Sequence, residues 1–286
     1  MSKKRGTCRL CGNTNVKLTA DHIQPQCAFN EKNRKHVRLE TIQTRAIQKN
    51  VPLTSRRSSS IYFDIQPDRP IAGGIYGNTQ CASCNGLLGS KYDSRFGQCS
   101  HGAVSALKLG EIVVVQQEYR QLCRYPLSFL KRIVAMFFSI NGEKFTALHG
   151  ELAEFVLDVD SNRLPDRYGF YVGYNINDVV SHIPLQVRSN VLTCDTCVVS
   201  QISHPPFVYV MTIDSRCPDV RLTNLSPFAN FRYDDEANSE TVFRLLPTNS
   251  CFAGDYRESG KLVQDGVMVF VSEIQPSYFR LIDAII

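Results

Sequence analysis

The clearest periodic pattern of apolar residues lies in the middle of the chain. Apolar side chains recur there at helical spacing, at Leu130, Ile133, Val134, Phe137 and Phe138. With Pro126 suited to the first helical position, the pattern predicts a core helix over Leu127–Ile140. A second helix is predicted over Glu143–Val156, after the Asn141–Gly142 turn.

After Tyr168 the pattern changes to runs rich in β-branched and aromatic residues, separated by Pro, Asn or Asp. Such runs are typical of strands. The predicted strands are Tyr168–Tyr174, Asn190–Val199, Pro206–Ile213 and Val267–Val271. Two helices followed by these strands predict an α+β domain with a mostly antiparallel sheet over residues 103–286.

The first hundred residues are organised differently, as short elements around pairs of cysteines. A predicted strand, Val16–Thr19, precedes the dipeptide Asp21–His22, and a short helix is predicted over Asn85–Tyr92. Between them, residues 30–72 are interpreted as an insertion with a basic helical stretch around Arg38–Lys49. The chain is therefore predicted to form two units, residues 1–102 and residues 103–286.

Charge separates the same two parts of the chain. Residues 1–95 contain sixteen Lys and Arg against six Asp and Glu, a net charge of +10, whereas the whole chain carries only +5. A basic segment on an otherwise mildly acidic protein indicates a polyanionic partner, most often nucleic acid. The alternative is a solvated basic face that has no partner.

The composition argues against membrane and extracellular classes. A hydrophobic fraction of 43% and a charged fraction of 21% are ordinary for a soluble globular protein. No stretch approaches the roughly 18 apolar residues of a membrane span, and the N-terminal MSKKRGTCRLCG lacks an apolar signal region. Eleven cysteines without such a signal predict a reducing cytoplasm, where thiols stay free or bind metal.

Two C-x-x-C pairs, Cys8 with Cys11 and Cys81 with Cys84, are candidate metal ligands. Together they can supply four thiolates for a closed, tetrahedral, structural zinc site. A small unit with little core of its own gains stability from such a cross-link. The alternative is that one pair is simply two buried cysteines, which are common in protein cores.

A third C-x-x-C pair, Cys194 with Cys197, lies in a predicted strand. Alternation along a strand puts two such residues on opposite faces of the sheet, so buried thiols are the favoured interpretation. A second zinc site would need a turn there, with Cys217 and His204 as further ligands.

The residues around the first two pairs complete a longer motif. Asp21, His22 and Pro25 follow the predicted strand, Asn78 stands shortly before the second pair, and Asn85 comes directly after it. This order resembles the HNH, or His-Me finger, endonuclease family, in which a strand ends in Asp-His and C-x-x-C-[HN] opens the final helix. The resemblance covers about residues 6–95 outside the 30–72 insertion, and it implies a zinc-stabilised ββα-metal unit.

The resemblance also implies a role for each polar residue of the motif. His22 would be the general base, because a neutral imidazole can accept the proton of water. Asp21 and Asn85 would hold one hydrated Mg²⁺ or Mn²⁺ through hard oxygen ligands, which neutralises charge on the scissile phosphate. Asn78 would orient His22.

The expected function is metal-dependent hydrolysis of phosphodiester bonds in DNA, with RNA left open as a substrate. Arg56, Arg57 and Lys91 are the predicted nucleic-acid contacts, and the alternative for the Arg56–Ser60 segment is solvated disorder. Residues 103–286 would supply substrate choice, self-association, a protein partner or control. The resemblance suggests a bacterial or phage setting, including antiviral defence. The rival expectation is a non-catalytic, zinc-stabilised nucleic-acid-binding or regulatory protein with an inactive HNH-like site, in which Asp21–His22 only caps and braces the zinc unit. A third expectation is a zinc-stabilised interaction protein whose basic patch is incidental.

Overall fold

A computed structural model gives the fold over most of the chain. The residues that it describes are 5–30, 34–36, 69–71, 74–109, 118–175, 180–189, 196–216, 222–237, 240–246, 261–264 and 267–270. The predicted helix around Arg38–Lys49 and the predicted contacts Arg56 and Arg57 lie outside them.

The strands of the first part form two antiparallel sheets. They are β1 (Arg5–Gly6), β2 (Val16–His22), β3 (Arg34–His36), β4 (Arg69–Ile71) and β5 (Tyr76–Cys81). Strand β2 pairs with β1 on one side and with β5 on the other, while β3 pairs with β4 inside the predicted insertion. The strand predicted at Val16–Thr19 is confirmed, and it continues through Asp21 to His22.

A long helical segment follows β5 directly. It consists of α1 (Ala82–Leu88), a π-helical turn (Gly89–Asp93) and α2 (Ser94–Leu109). The short helix predicted at Asn85–Tyr92 is therefore part of a longer one. Residue 102, where the first predicted unit ends, lies inside α2, and buried side chains such as Phe96 and Ala103 continue across it.

The central helix α3 (Pro126–Asn141) confirms the strongest sequence pattern, with Pro126 in its first turn. Every residue from Pro126 to Ser139 is buried, because α2, β5, β8 (Ser181–Ser189) and β9 (Thr196–His204) all contact this helix. Burial on all sides fits a mostly apolar helix, and this one also buries four polar side chains, those of Ser128, Lys131, Arg132 and Ser139. No helix in the described ranges is long and apolar enough to cross a membrane.

The second predicted helix is two helices, α4 (Glu143–Leu148) and α5 (Gly150–Leu157). His149 separates them with non-helical backbone angles, φ −131° and ψ 46°. Its buried ring lies 2.8 Å, Nδ1 to Oη, from Tyr168, so the break brings a polar ring to a hydrogen-bond partner.

The second part of the chain contributes a mostly antiparallel sheet, as predicted. Its other strands are β6 (Glu118–Leu122), β7 (Tyr168–Asn175), β10 (Phe207–Ile213), β11 (Thr223–Asn224) and β12 (Glu240–Leu246). The order is β6-β12-β7-β10-β9-β8, with β11 beside β7, and the pairing of β12 with β7 is parallel. Strands β13 (Lys261–Gln264) and β14 (Val267–Phe270) pair with each other.

One continuous hydrophobic core joins the two predicted units. Phe129 of α3 stacks on Phe96 of α2 at 5.1 Å between ring centroids, and it meets Phe207 of β10 at 5.7 Å. Phe137 of α3 contacts Phe170 of β7 at 5.9 Å. Helix α3 therefore packs against α2 of the first part and against the sheet of the second part.

Helix α3 also buries a lysine. The Lys131 ammonium donates hydrogen bonds to the carbonyl oxygens of Asp158 and Val159, at 2.5 and 2.9 Å, and lies 5.0 Å from the centroid of the Phe155 ring. Burial disfavours the charged form and lowers the pKa of Lys131 from 10.5 to about 8.

This lowered pKa predicts a pH dependence of stability. Between about pH 8 and 10.5 the unfolded chain binds more protons at Lys131 than the folded chain, so this residue makes folding more favourable as the pH rises. This contribution of Lys131 to the free energy of unfolding is fully present above its pKa in the unfolded chain, 10.5. It is lost as the pH falls through its pKa in the folded chain, about 8.

The variant Lys131→Met lacks this contribution. We expect the free energy of unfolding of the parent, minus that of Lys131→Met, to increase across this window in parallel urea titrations. A difference that stays flat or falls would contradict the prediction.

Candidate metal centre and active site

The four cysteines of the first two C-x-x-C pairs converge. Cys8 and Cys11 lie on the turn between β1 and β2, Cys81 ends β5, and Cys84 lies in α1. Their sulfur atoms all lie within 4.8 Å of one another, and those of Cys11 and Cys81 are 3.9 Å apart. Zn–S bonds of about 2.3 Å in a tetrahedron put sulfurs about 3.8 Å apart, so this group can hold a metal ion such as zinc.

Local hydrogen bonds shape the first cysteine turn. The Gly12 N–H donates to the Cys8 carbonyl and the Cys8 N–H donates to the Asn13 carbonyl, both at 2.9 Å. Gly12 has φ 74°, a left-handed conformation that glycine adopts without strain. The Arg9 N–H donates to the Thr79 carbonyl at 2.8 Å, which fixes this turn against β5.

Electrostatics favour a cation among the four sulfurs. A hydrogen bond from the Cys84 thiol lowers the pKa of Cys8, and the same contact raises the pKa of Cys84. Burial raises the pKa of Cys11. One thiolate thus suppresses ionisation of its neighbours, and a divalent cation removes that repulsion because thiols that coordinate it are deprotonated.

Strands β2 and β5 pair antiparallel although β3 and β4 lie between them in the chain, and this pair is called the hairpin below. His22 lies on its outer face. The register puts His22 opposite Tyr76 and Ala20 opposite Asn78, so these four residues share one face. The His22 and Tyr76 rings lie 5.7 Å apart, and Asn78 is the diagonal neighbour of His22. His22 is half-buried, whereas Tyr76 and Asn78 are exposed.

Helix α1 lies across the same strand. Asn85 Nδ2 donates to Thr19 Oγ1 at 3.2 Å and to the Ala20 carbonyl at 3.0 Å. Two antiparallel strands followed directly by a helix that packs on them make a ββα arrangement, with the four cysteines at its base.

Asp21 faces the interior, because neighbouring strand residues point to opposite faces. It is 1% exposed, and its Oδ2 accepts hydrogen bonds from Thr79 Oγ1 at 2.9 Å and from Ser139 Oγ at 2.5 Å. Burial raises the pKa of Asp21, although the nearby Arg132 charge and both hydroxyls oppose that shift.

The other carboxylate oxygen of Asp21, Oδ1, is buried and has no hydrogen-bond partner in the described part of the chain. An unpartnered buried oxygen on a carboxylate fits a cation ligand. The cation that Asp21 and Asn85 would share stays a prediction.

Two residues of α3 belong to this site and were missed in the sequence. Arg132 Nη2 donates to the His22 carbonyl at 2.8 Å, and its Nε pairs with Asp93 at 2.6 Å. Ser139 reaches Asp21 from the same helix. The available signal was Lys131–Arg132 inside an apolar helical run, since buried charges must be paired.

A polar cleft of about 360 Å³ opens between the hairpin, α3 and β8. Arg9, Asn78, Thr79, Ser139 and His182 supply its polar lining, and none of the residues lining it is acidic. Thr79 and Ser139 are the hydrogen-bond partners of Asp21, so Asp21 lies behind one wall of the cleft.

Other predicted positions are less informative. Lys91 is exposed on the π-helical turn, with its ammonium 5.8 Å from the centroid of the Tyr233 ring, and its contact with nucleic acid stays a prediction. Cys197 lies on β9, whereas Cys194 and Cys217 fall outside the described residues. Within the described ranges, the four-cysteine cluster is the only convergent group of three or more His, Cys, Asp or Glu.

The cysteine cluster predicts metal content. Elemental analysis of protein purified without added metal should find about one zinc ion per chain. Cys81→Ser should lose the ion and unfold the hairpin, because the binding energy of a structural zinc is folding energy. Cys27→Ser, at an exposed cysteine outside the cluster, is the control and should keep both. Protein that folds equally well without metal would rule out this role.

Comparison with protein-family models, curated proteins and solved structures finds no match to this chain.

Proposed function

We propose that this protein is a metal-dependent endonuclease of the HNH type, which hydrolyses phosphodiester bonds in DNA and leaves a 3′-hydroxyl. The observation that carries the proposal is the ββα arrangement of β2, β5 and α1, with four converging cysteines at its base. The order of its polar residues is the order that the HNH resemblance requires.

In this proposal His22 is the general base. It ends β2 on the outer face of the hairpin, where a water molecule and a phosphate can approach it. Asn78, its diagonal neighbour on that face, would orient the His22 ring. Tyr76 is an exposed aromatic residue directly opposite His22, and it would limit how a nucleic-acid strand approaches His22.

Asp21 Oδ1 and Asn85 would hold the Mg²⁺ or Mn²⁺, which supplies charge neutralisation at the scissile phosphate. The unpartnered Oδ1 supports this role for Asp21, and the packing of Asn85 on Thr19 and Ala20 supports its place beside the end of β2. The zinc held by Cys8, Cys11, Cys81 and Cys84 is structural, since four thiolates leave no open coordination position.

The net charge of +10 over residues 1–95 supports a nucleic-acid substrate bound through its phosphates, by Lys91, Arg56 and Arg57 among others. RNA remains the competing substrate. The sheet of the second part would supply substrate choice, self-association or a protein partner. A role in bacterial or phage antiviral defence rests on the family resemblance, and a cytoplasmic location rests on eleven cysteines without an apolar signal region.

A second candidate function is favoured by the burial of Asp21. A carboxylate that is 1% exposed, with two hydroxyl donors on Oδ2, also suits a residue that braces the hairpin. The protein would then be a zinc-stabilised nucleic-acid-binding or regulatory protein without catalysis.

Substitution of His22 separates the two candidates. We expect His22→Ala to keep zinc, melting temperature and DNA binding while plasmid cleavage in Mg²⁺ or Mn²⁺ falls about 10²–10⁴-fold, the usual loss for a general base. His101→Ala, at an exposed histidine on α2, is the control and should cut like the parent. Equal cleavage by His22→Ala and the parent would refute the HNH mechanism.

Substitution of arginines tests the binding mode. If Arg56 and Arg57 each neutralise one phosphate, the double variant Arg56→Ala/Arg57→Ala should flatten the slope of log K against log salt concentration by about 1.8. The loss should be similar for unrelated DNA sequences. Arg163→Ala, at an exposed arginine in the second part, is the matched control and should leave the slope unchanged. An unchanged slope in the double variant would exclude phosphate contacts at both arginines.

A further inference from the structure

Helix α3 touches both residues of the Asp21–His22 dipeptide, although it lies more than a hundred residues further along the chain. Ser139 Oγ donates to the Asp21 carboxylate at 2.5 Å, and Arg132 Nη2 donates to the His22 carbonyl at 2.8 Å. We propose that Arg132 and Ser139 are positioning residues, which hold the catalytic dipeptide from the second part of the chain. This inference rests on the proposed function.

The Ser139 contact fixes the orientation of Asp21. Gln80 Nε2 donates to Ser139 Oγ at 3.1 Å, so the hydroxyl accepts from Gln80 and donates to Asp21. Together with Thr79, it fixes Oδ2 and thereby sets the direction of the unpartnered Oδ1. A hydrogen bond to one oxygen of a metal-binding carboxylate orients the other.

The Arg132 contact fixes the backbone that carries His22. Arg132 is 1% exposed, and its guanidinium bridges the His22 carbonyl to the carboxylate of Asp93, at 2.8 and 2.6 Å. Asp93 lies at the end of the π-helical turn, so Arg132 ties the end of β2 to the helical segment that follows the cysteines. A planar guanidinium with several donors can make both bonds, whereas an ammonium cannot match that geometry.

The burial of α3 explains why these contacts are rigid. Both side chains lie on a helix whose residues from Pro126 to Ser139 are buried on all sides, and Phe137 and Phe129 pack it against the sheet and α2. A small displacement of α3 would therefore move both residues of the dipeptide together. The ββα arrangement is completed by the second part of the chain.

The serines of α3 offer a matched pair of variants. Ser139 and Ser128 are both buried, and each makes a hydrogen bond with an ionisable side chain. Ser139 Oγ donates to Asp21, and Ser128 Oγ accepts from Arg95 Nη1 at 3.1 Å. We expect Ser139→Ala to weaken Mn²⁺ binding, measured by electron paramagnetic resonance, and to lower kcat, each by about 10–100-fold. Zinc content and the KM for DNA should stay unchanged. Ser128→Ala should alter none of these, and Ser139→Thr should restore both Mn²⁺ affinity and kcat.

The cations of α3 give a second pair. Arg132→Lys keeps a positive charge near Asp93, but an ammonium cannot bond Asp93 and the His22 carbonyl in the geometry of the guanidinium. A misplacement of roughly 1 Å can cost about 10²-fold in rate, so we expect kcat to fall by up to that factor while KM stays unchanged. Lys131→Met removes the neighbouring buried cation, whose contacts lie at Asp158 and Val159, and should leave kcat unchanged.

The outcomes separate this inference from the proposed function. If the parent cuts DNA but Ser139→Ala behaves like Ser128→Ala, the positioning role is overturned and the nuclease assignment stands. If the parent does not cut DNA, the nuclease assignment fails, and the ¹H–¹³C resonances of the His22 ring decide the positioning role. A change in the chemical shifts of the His22 ring in Ser139→Ala but not in Ser128→Ala supports the positioning role. Unchanged chemical shifts in both variants overturn the positioning role.

Discussion

The burial of helix α3 from Pro126 to Ser139 is the constraint on which the rest of the structure depends. A helix enclosed on every side needs partners for the polar groups that it carries, because an unpaired buried charge or hydroxyl is costly. Lys131 bonds backbone carbonyls after α5, and Ser139 bonds Asp21. Arg132 bonds Asp93 through Nε and the His22 carbonyl through Nη2, while its Nη1 has no hydrogen-bond partner among the described residues. The hydrogen bonds of Arg132 and Ser139 are therefore the same ones that fasten the hairpin of the first part onto the core.

The cysteine cluster and α3 stabilise opposite ends of the candidate site. The four sulfurs tie the base of the hairpin to the start of α1, and α3 holds the end of β2, where Asp21 and His22 lie. Between these two attachments, Asn85 packs α1 against Thr19 and Ala20. A site supported at both ends keeps its side chains in place without a large core of its own, which a small ββα arrangement cannot provide.

Several elements could be predicted because their cause is local. The Leu127–Ile140 helix follows from apolar spacing and Pro126, and β7 and β10 follow from runs of β-branched and aromatic residues. The break at His149 could not be predicted, since the neighbouring sequence suits one helix and the ring's partner, Tyr168, lies nineteen residues further on. The continuation of α2 through residue 102 was missed for the same reason, because its buried face is defined by packing against α3.

By itself, the sequence determined which residues could carry chemistry. The two C-x-x-C pairs stand out through residue type and spacing, and tetrahedral metal binding requires their four sulfurs to converge, as they do. Asp21–His22, Asn78 and Asn85 were singled out by the resemblance to the HNH family. Only the tertiary structure decided how those residues face. Strand alternation puts His22 and Asn78 outside and Asp21 inside, and long-range packing brings Arg132 and Ser139 to them. Spacing along a chain fixes local neighbours, whereas contacts between distant segments depend on how their buried surfaces fit together.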